Sequence, residues 1–138
     1  MSKNSKKIEA VYNGHANLTS QFTAVSLALL KNYHRLVEYE KGKRPAGINN
    51  SEMMFIVHLL SYKWTEREPF APKEELAKRM GCSKRQVQKI SKSLEGVGLL
   101  SKLYNPSVDK FAKYDLEPLF KRLEEISAYG ERLIEEAA

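Results

Sequence analysis

Side chains able to bind nucleic-acid bases and phosphates line one side of residues 83–95, near the middle of the chain. At about 100° per residue on a helix, Arg85, Lys89 and Lys92 fall on one face, with Gln88 on their flank. Arginine and glutamine can each bond a base edge through two atoms at once, and lysine neutralises phosphate. The segment therefore has the chemistry for contact with a DNA major groove. The alternative is a solvated basic face on an ordinary helix.

The opposite face of the same segment is apolar and consists of Val87, Ile90 and Leu94. Such a helix buries its apolar side and presents the other side to solvent or to a ligand. Ser83 is predicted to begin it, because its hydroxyl can accept from a backbone N–H one turn later and Gln86 stands at the capping-box spacing. We therefore predict a helix with one core-facing side and one basic side.

A second short helix is predicted just ahead of the basic one. Pro72 suits a first helical turn, where its missing N–H costs nothing. Leu76, Ala77 and Met80 share one face of the segment that follows. Gly81 provides a C-terminal stop, because glycine accepts the left-handed conformation. The two helices are therefore joined by a tight turn.

This pair of helices resembles the helix-turn-helix of winged-helix DNA-binding proteins. The residues that carry the resemblance are PKEELAKRMGCSKRQVQKI at 72–90 and GLL at 98–100. The domain is similar to those of phage and plasmid replication proteins, DnaD-like proteins and small bacterial regulators, from about residue 47 to about 115. The resemblance implies a mainly α fold with a small β-hairpin. It indicates the fold more specifically than the biological process, because fold does not determine function.

The whole chain is predicted to form one winged helix-turn-helix domain with two additions. Residues 1–22 are mostly polar, with lysines near the start, and are expected to form a flexible basic arm. The domain itself spans 23–115, and a C-terminal helix spans 116–138. Within the domain, apolar spacing predicts helices at about 25–39 and 49–64.

Capping and composition define the helix that begins near residue 49. Asn49 stands three residues ahead of Glu52, which is a variant of the capping box. The helix is apolar on most sides, so we expect it to be buried from several directions. His58 within it is interpreted as a packed or rim residue and not as a ligand. Residues 65–71 are predicted to loop out to the helix-turn-helix.

A β-hairpin, the wing of the implied fold, is predicted over residues 99–114. Side chains alternate at the strand period from Leu99 to Tyr104, residues 105–107 form a turn, and Phe111 to Tyr114 return as a second strand. The hairpin carries lysines that can meet the flanking DNA backbone or minor groove: Lys102, Lys110 and Lys113. A hairpin that only closes the domain is the alternative.

Asp115 is predicted to cap a last helix that runs to about Glu136. The helix has an apolar stripe with a 3–4 spacing, made of Leu116, Leu119, Leu123, Ile126, Gly130, Leu133 and Ala137. The stripe either packs back on the domain or pairs with a second copy. We expect a homodimer through this helix, which would place two basic helices on one palindromic site.

Charge is segregated along the chain, which has a formal net charge of +6. No acid interrupts residues 76–94, and residues 84–113 hold seven bases against two acids. Residues 114–138 hold seven acids against three bases. A basic middle and an acidic end favour a polyanion bound by one face, with the last helix turned away from it.

A bacterial cytoplasmic location is expected, with association to the nucleoid when the protein is bound to DNA. Cys82 is the single cysteine and cannot form an internal bridge, which fits a reducing compartment. It is interpreted as a packing residue of the turn. The sequence shows neither a secretory signal nor an apolar run near the ~18 residues of a membrane span.

Enzyme chemistry is not indicated by any motif. Gly96 and Gly98 lack the third glycine and the preceding strand of a phosphate-binding loop. His15, His34 and His58 show no metal-ligand spacing with one another or with Cys82. We therefore expect neither catalysis nor a cofactor or metal.

Three functional interpretations follow. The leading one is a sequence-specific double-stranded DNA-binding regulator of transcription. The second assigns the same contacts to an origin-binding or partition protein of a phage or plasmid, with the acidic last helix recruiting a replication partner. The third is a protein-interaction module that binds through the same surface. Binding to RNA or to single strands is less favoured, because aromatics do not interleave with the basic residues.

The predicted DNA-contacting residues fall into three groups. Base reading or contact with adjacent phosphates is assigned to Arg85, Gln86, Gln88 and Lys89. Backbone contact is assigned to Ser83, Lys84 and Lys92. The wing lysines Lys102, Lys110 and Lys113 add affinity.

Overall fold

The computed structural model describes residues 9–19, 23–38, 42, 46–63, 70–103 and 112–137. Its helices are α1 (Ala16–Thr19), α2 (Leu27–Asn32), α3 (Asn50–Ser61), α4 (Lys73–Met80), α5 (Lys84–Gly96) and α6 (Glu117–Ala137), with a 3-10 turn at Tyr33–Arg35. Its strands are β1 (Phe70–Ala71), β2 (Ser101–Leu103) and β3 (Ala112–Asp115). The mainly α fold with a β-hairpin is confirmed.

The core is one apolar cluster enclosed by the helices and the sheet. Its most buried side chains are Leu29, Leu36, Phe55, Ile56, Leu59, Leu76, Val87, Leu94, Tyr114 and Leu119. Phe55 of α3 and Tyr114 of β3 meet edge to face, with ring centroids 5.7 Å apart. This contact fixes the hairpin against α3, because paired aromatic rings prefer such a geometry.

The sheet has three antiparallel strands in the order β1-β3-β2. The prediction of a loop over residues 65–71 is wrong for Phe70 and Ala71, which pair with Lys113 and Ala112 of β3. A two-residue strand is too short to produce an alternating pattern, so local sequence does not reveal it. Its pairing occupies the edge of β3 that β2 leaves open and joins the start of α4 to the hairpin.

The helix predicted at 25–39 is shorter than expected. The Ser26 hydroxyl accepts from Leu29 N at 3.1 Å, so α2 begins only at Leu27. Asn32 is buried, and its amide donates to the carbonyl of Ala28 at 2.7 Å. Its oxygen accepts from Arg35 Nε at 2.7 Å. Side-chain bonds of this kind compete with regular helix hydrogen bonds, and the chain tightens into a 3-10 turn.

Gly47 closes the loop that leads from this turn to α3. Its N–H donates to Val37 O at 2.7 Å, and the next N–H, of Ile48, donates to Tyr33 O at 2.9 Å. A Cβ at position 47 would stand 2.2 Å from the carbonyl carbon and oxygen of His34. The backbone at Gly47 also has φ +76°, a left-handed conformation that glycine adopts more easily than other residues.

Both hydrogen bonds of the capping box predicted at the start of α3 are present. Glu52 N donates to Asn49 Oδ1 at 2.8 Å, and Asn49 N donates to Glu52 Oε1 at 2.9 Å. The helix ends at Ser61, ahead of the predicted end near Trp64, because Tyr62 N turns back to Leu59 O. Trp64 lies outside the described residues.

The first half of α6 packs back on its own domain. Asp115 Oδ1 accepts from Glu117 N at 3.0 Å, which gives the predicted cap. The stripe is buried in the domain core at Leu116, Leu119, Leu123 and Ile126. Arg122 Nε donates to Leu36 O at 3.2 Å. The helix therefore uses this part of its stripe within one chain, and pairing with a second copy stays a prediction for residues 127 onward.

The predicted arm is described only in part. Residues 9–11 are helical and α1 follows, whereas Lys3, Lys6 and Lys7 lie outside the described residues. The flexibility of the arm stays a prediction. In the described ranges, every helix is too short or too polar to span a membrane.

Replacing Gly47 with alanine tests the close approach at His34. Gly98 is a matched control, because it also has φ +76° but has nothing within 4 Å of its would-be Cβ. Both changes strain the backbone, at about 1–2 kcal/mol. Gly47→Ala should lower the free energy of unfolding by about 1–3 kcal/mol more than Gly98→Ala, because the backbone must also move. Urea denaturation measures both, and equal losses would contradict the packing described.

Candidate nucleic-acid interface

The turn between α4 and α5 is built by local signals that the sequence predicts. Gly81 adopts the left-handed conformation at φ +64° and ends α4. Cys82, half-buried in the turn, donates its N–H to Ala77 O at 3.0 Å. Ser83 Oγ then accepts from Gln86 N at 3.1 Å and begins α5. These bonds set the angle at which α5 leaves α4.

The two sides of α5 separate as the sequence predicts. Val87, Ile90 and Leu94 are buried in the core. The predicted contact residues of this helix and its cap are all exposed: Ser83, Lys84, Arg85, Gln86, Gln88, Lys89 and Lys92. We call this set the basic face. Its side chains share one surface, although their contact with DNA stays a prediction.

The wing lysines do not all lie on one surface. Cross-strand partners share a face of the sheet, and Lys102 pairs with the buried Tyr114 whereas Lys113 pairs with the exposed Leu103. Lys102 therefore projects from the side of the sheet that faces the helices, and Lys113 from the outer side. Lys110 lies outside the described residues.

A lysine that sequence reasoning missed joins Lys84 and Lys102. Lys73, the first residue of α4, is half-buried. Burial lowers the pKa of the Lys73 ammonium, and the positive charges of Lys102 and Lys84 lower it further. We call Lys73, Lys84 and Lys102 the lysine cluster. Three elements contribute to it, so no local sequence pattern contains it.

Glu74 pairs with one member of the lysine cluster, Lys84. Its Oε1 is 2.6 Å from Lys84 Nζ, and both side chains are largely exposed. The hydrogen bond from Lys84 and its positive charge lower the pKa of the Glu74 carboxyl, and Lys78 adds to the effect. In the free protein, Lys84 therefore holds a carboxylate of its own chain.

Arg79 is committed to structure and does not belong to the basic face. Its guanidinium carbon stands 4.7 Å from the centroid of the Tyr62 ring. The same group bonds Glu75 Oε1 at 2.9 Å and Ser61 Oγ at 3.1 Å. The contacts with Tyr62 and Ser61 fasten α4 to the end of α3.

A buried carboxylate anchors the second half of α5. Glu52 is only 3% exposed. Besides the capping contact, its Oε2 accepts from Ser93 Oγ at 2.7 Å. Buried charge is tolerated only where hydrogen bonds satisfy it. This bond therefore ties the rotation of α5 to the start of α3.

Ser91, two residues earlier, is buried without such a bond. Within the described part of the chain, its hydroxyl meets no donor or acceptor with hydrogen-bond geometry. It lies beside the phenol of Tyr114. Burial raises the pKa of that phenol, and the Ser91 hydroxyl lowers it in part because it is close enough to donate a hydrogen bond to the phenolate once the phenol ionises.

Among the residues described, no group of three His, Cys, Asp or Glu side chains is placed to hold a metal. A cleft of about 440 Å³ lies at the far end of α5 and is lined by Leu36, Val37, Glu38, Val97, Gly98, Leu99, Pro118, Lys121, Arg122 and Glu125. Its charged members partly pair with each other, as Arg122 Nη1 and Glu125 Oε2 are 3.4 Å apart.

Comparisons with known proteins identify relatives of this architecture. A family model described as the DnaD N-terminal domain matches residues 25–132. The N-terminal domain of the DnaD protein from Geobacillus kaustophilus HTA426 has the same fold, with a TM-score of 0.60 and 24% identity over 100% of both chains. Lactococcus lactis ZitR, a zinc-responsive MarR family member, is 14% identical over 96% of this chain and 79% of its own. Its TM-score of 0.43 is too low to support an inference. No curated protein matches the chain.

Ser93→Ala and Ser91→Ala test whether Glu52 anchors α5. Removing the Ser93 hydroxyl should lower the free energy of unfolding by about 1–3 kcal/mol, because a buried carboxylate oxygen loses a donor. Ser91→Ala should be neutral or stabilise by up to about 1 kcal/mol, because it removes a buried hydroxyl that lacks a bond. Chemical denaturation compares the two variants with the wild type. A larger loss for Ser91→Ala would contradict the assignment.

Proposed function

Since the chain belongs to the DnaD N-terminal domain family, we propose that it binds double-stranded DNA through its basic face, as part of a replication system. One observation carries the proposal. The exposed side of α5 presents arginine, glutamine and lysine without an acid from Lys84 to Leu94, while its other side is buried. A helix of this kind fits a major groove, which admits one α-helix.

The first turns of α5 would read base edges. Arg85 and Gln88 are exposed and carry the groups that bond a base through two atoms. Gln86 and Lys89 would add base or adjacent phosphate contacts. Ser83, Lys84 and Lys92 would hold the backbone and so fix the register of the helix in the groove, because phosphate contacts position and base contacts specify.

The hairpin would meet the DNA backbone beside the groove. Lys102 projects on the side of the sheet that faces the helices, close to the start of α4. Lys113 projects from the other side of the sheet, with Leu103. We therefore assign to Lys102 the contact with the DNA backbone nearest α5, and to Lys113 a contact with the backbone farther along the duplex. Lys110 stays a predicted wing contact.

Family membership favours replication over transcription, the process that the sequence alone placed first. The two processes use the same contacts and differ in the arrangement of their sites. Glu124 and Glu125 are exposed on α6 and can meet a replication partner, and Glu125 also pairs with Arg122. We also propose a homodimer through α6 from residue 127 onward, because the preceding stripe is already buried within one chain.

Arg85→Ala and Lys89→Ala separate base reading from phosphate neutralisation. A duplex selected from a random pool by the wild type is compared with an unrelated duplex of the same length. Arg85→Ala should weaken binding to the selected duplex by about 1–3 kcal/mol and leave the unrelated one nearly unchanged. If Lys89 contacts phosphate, Lys89→Ala should weaken both duplexes and reduce the salt slope by about 1.

The selected sites themselves test the proposed process. Direct repeats would support origin binding, and an inverted repeat would support a dimeric regulator of transcription. Equal weakening of both duplexes by Arg85→Ala would show that Arg85 does not read bases. No enrichment, together with unchanged binding in the Arg85→Ala, Lys89→Ala double variant, would overturn DNA recognition by this face and favour a protein partner.

A further inference from the structure

We infer that Glu74 occupies, in the free protein, the place that a DNA phosphate takes at the lysine cluster, and that it competes with the backbone for Lys84. The inference rests on the proposed function and assigns two residues to that surface, Lys73 as a phosphate contact and Glu74 as a built-in competitor. Every duplex must displace the carboxylate, so the affinity for all duplexes falls by the same factor.

The geometry places one carboxylate where an anion from outside would sit. Glu74 Oε1 and Lys84 Nζ are 2.6 Å apart, and the pair joins the first turn of α4 to the first residue of α5. The N-terminus of a helix carries a partial positive charge and orphan N–H groups. The ion pair therefore joins the first turns of two helices, where the partial positive charge favours an anion.

Positive charges from three elements gather beside this ion pair, around Lys73 and Lys84. Lys102 of β2 projects towards the helices, because its cross-strand partner is the buried Tyr114. Lys73 feels the charges of both Lys102 and Lys84, and Glu74 feels those of Lys84 and Lys78. Like charges gathered in this way repel one another, and an anion placed among them relieves the repulsion. A phosphate oxygen meets the same requirement as the carboxylate.

The replacement of Glu74 by a phosphate at Lys84 should change how the affinity for DNA depends on salt concentration. DNA releases counterions condensed on its backbone when lysines neutralise its phosphates, and this release produces the salt dependence of affinity. After Lys84 has left it, the Glu74 carboxylate stays tethered beside the DNA, offsets part of the positive charge of the surface and so reduces the number of counterions released. Removing Glu74 should therefore both tighten binding and steepen the salt dependence.

The test uses Glu74→Gln with Glu75→Gln as its matched control. Both changes remove one negative charge from the first turn of α4. Glu75 bonds Arg79, away from the lysine cluster, so the control reproduces the change in net charge only. Affinity for a random-sequence duplex is measured by fluorescence anisotropy from about 50 to 200 mM salt.

Glu74→Gln should tighten binding about 3- to 10-fold more than Glu75→Gln at the lowest salt and steepen the salt slope by up to about 1. The gain should disappear when Lys84→Ala is added, because Glu74 then has no ammonium to compete for. Lys73→Ala should weaken binding in both the wild-type and the Glu74→Gln background. Equal gains in Glu74→Gln and Glu75→Gln, or a gain that survives Lys84→Ala, would overturn the inference.

Lys89→Ala, measured beside these variants, separates the inference from the proposed function. Weaker binding by Lys89→Ala with equal effects of Glu74→Gln and Glu75→Gln would overturn the role of Glu74 alone. A wild type that binds no duplex would overturn the proposed function and the inference with it.

Discussion

Burial of one side of α5 is the constraint on which the rest of the structure depends. Val87 and Leu94 are 1% and 0% exposed, and with Ile90 they lie against side chains of α3 and α4 in the core. At about 100° per residue, burying these three side chains turns Arg85, Lys89 and Lys92 outward. The orientation of the basic face is therefore a consequence of hydrophobic packing and needs no ligand to establish it.

Polar contacts make that orientation specific. Apolar packing alone allows a helix to slide or rotate by small amounts, because hydrophobic contacts are not directional. The buried carboxylate of Glu52 adds direction, since it meets Ser93 on α5 and the backbone at Asn49 at once. Arg79 does the same for α4 through Tyr62 and Ser61. Neither anchor uses a residue of the basic face, where only Ser83, which caps α5, and Lys84, which pairs with Glu74, are described in structural contacts.

Much of this arrangement is predictable from sequence because it is local. The stop at Gly81, the caps at Ser83 and Asn49 and the apolar faces of α4 and α5 all rest on residues within one or two turns of each other. The family resemblance that these motifs carry is confirmed by the match over residues 25–132.

The features that the sequence does not reveal are set by contacts distant along the chain. β1 has two residues and exists only because β3 has an open edge. The end of α2 depends on the buried Asn32 and on the packing of Gly47 against His34. The lysine cluster joins residues about 30 positions apart, and opposite pairing on the hairpin places Lys102 and Lys113 on different faces.

The measurement that tests the central claim most directly is an NMR titration of the isotope-labelled wild-type protein with a short duplex, which follows every backbone amide. The account predicts that the largest shifts fall between Ser83 and Lys92, with further shifts at Lys73 and Lys102 and little change at Glu124 and Glu125. Shifts that are concentrated on α2 and α6, with α5 unchanged, would show that DNA binds elsewhere or not at all and would contradict the basic face as the nucleic-acid interface.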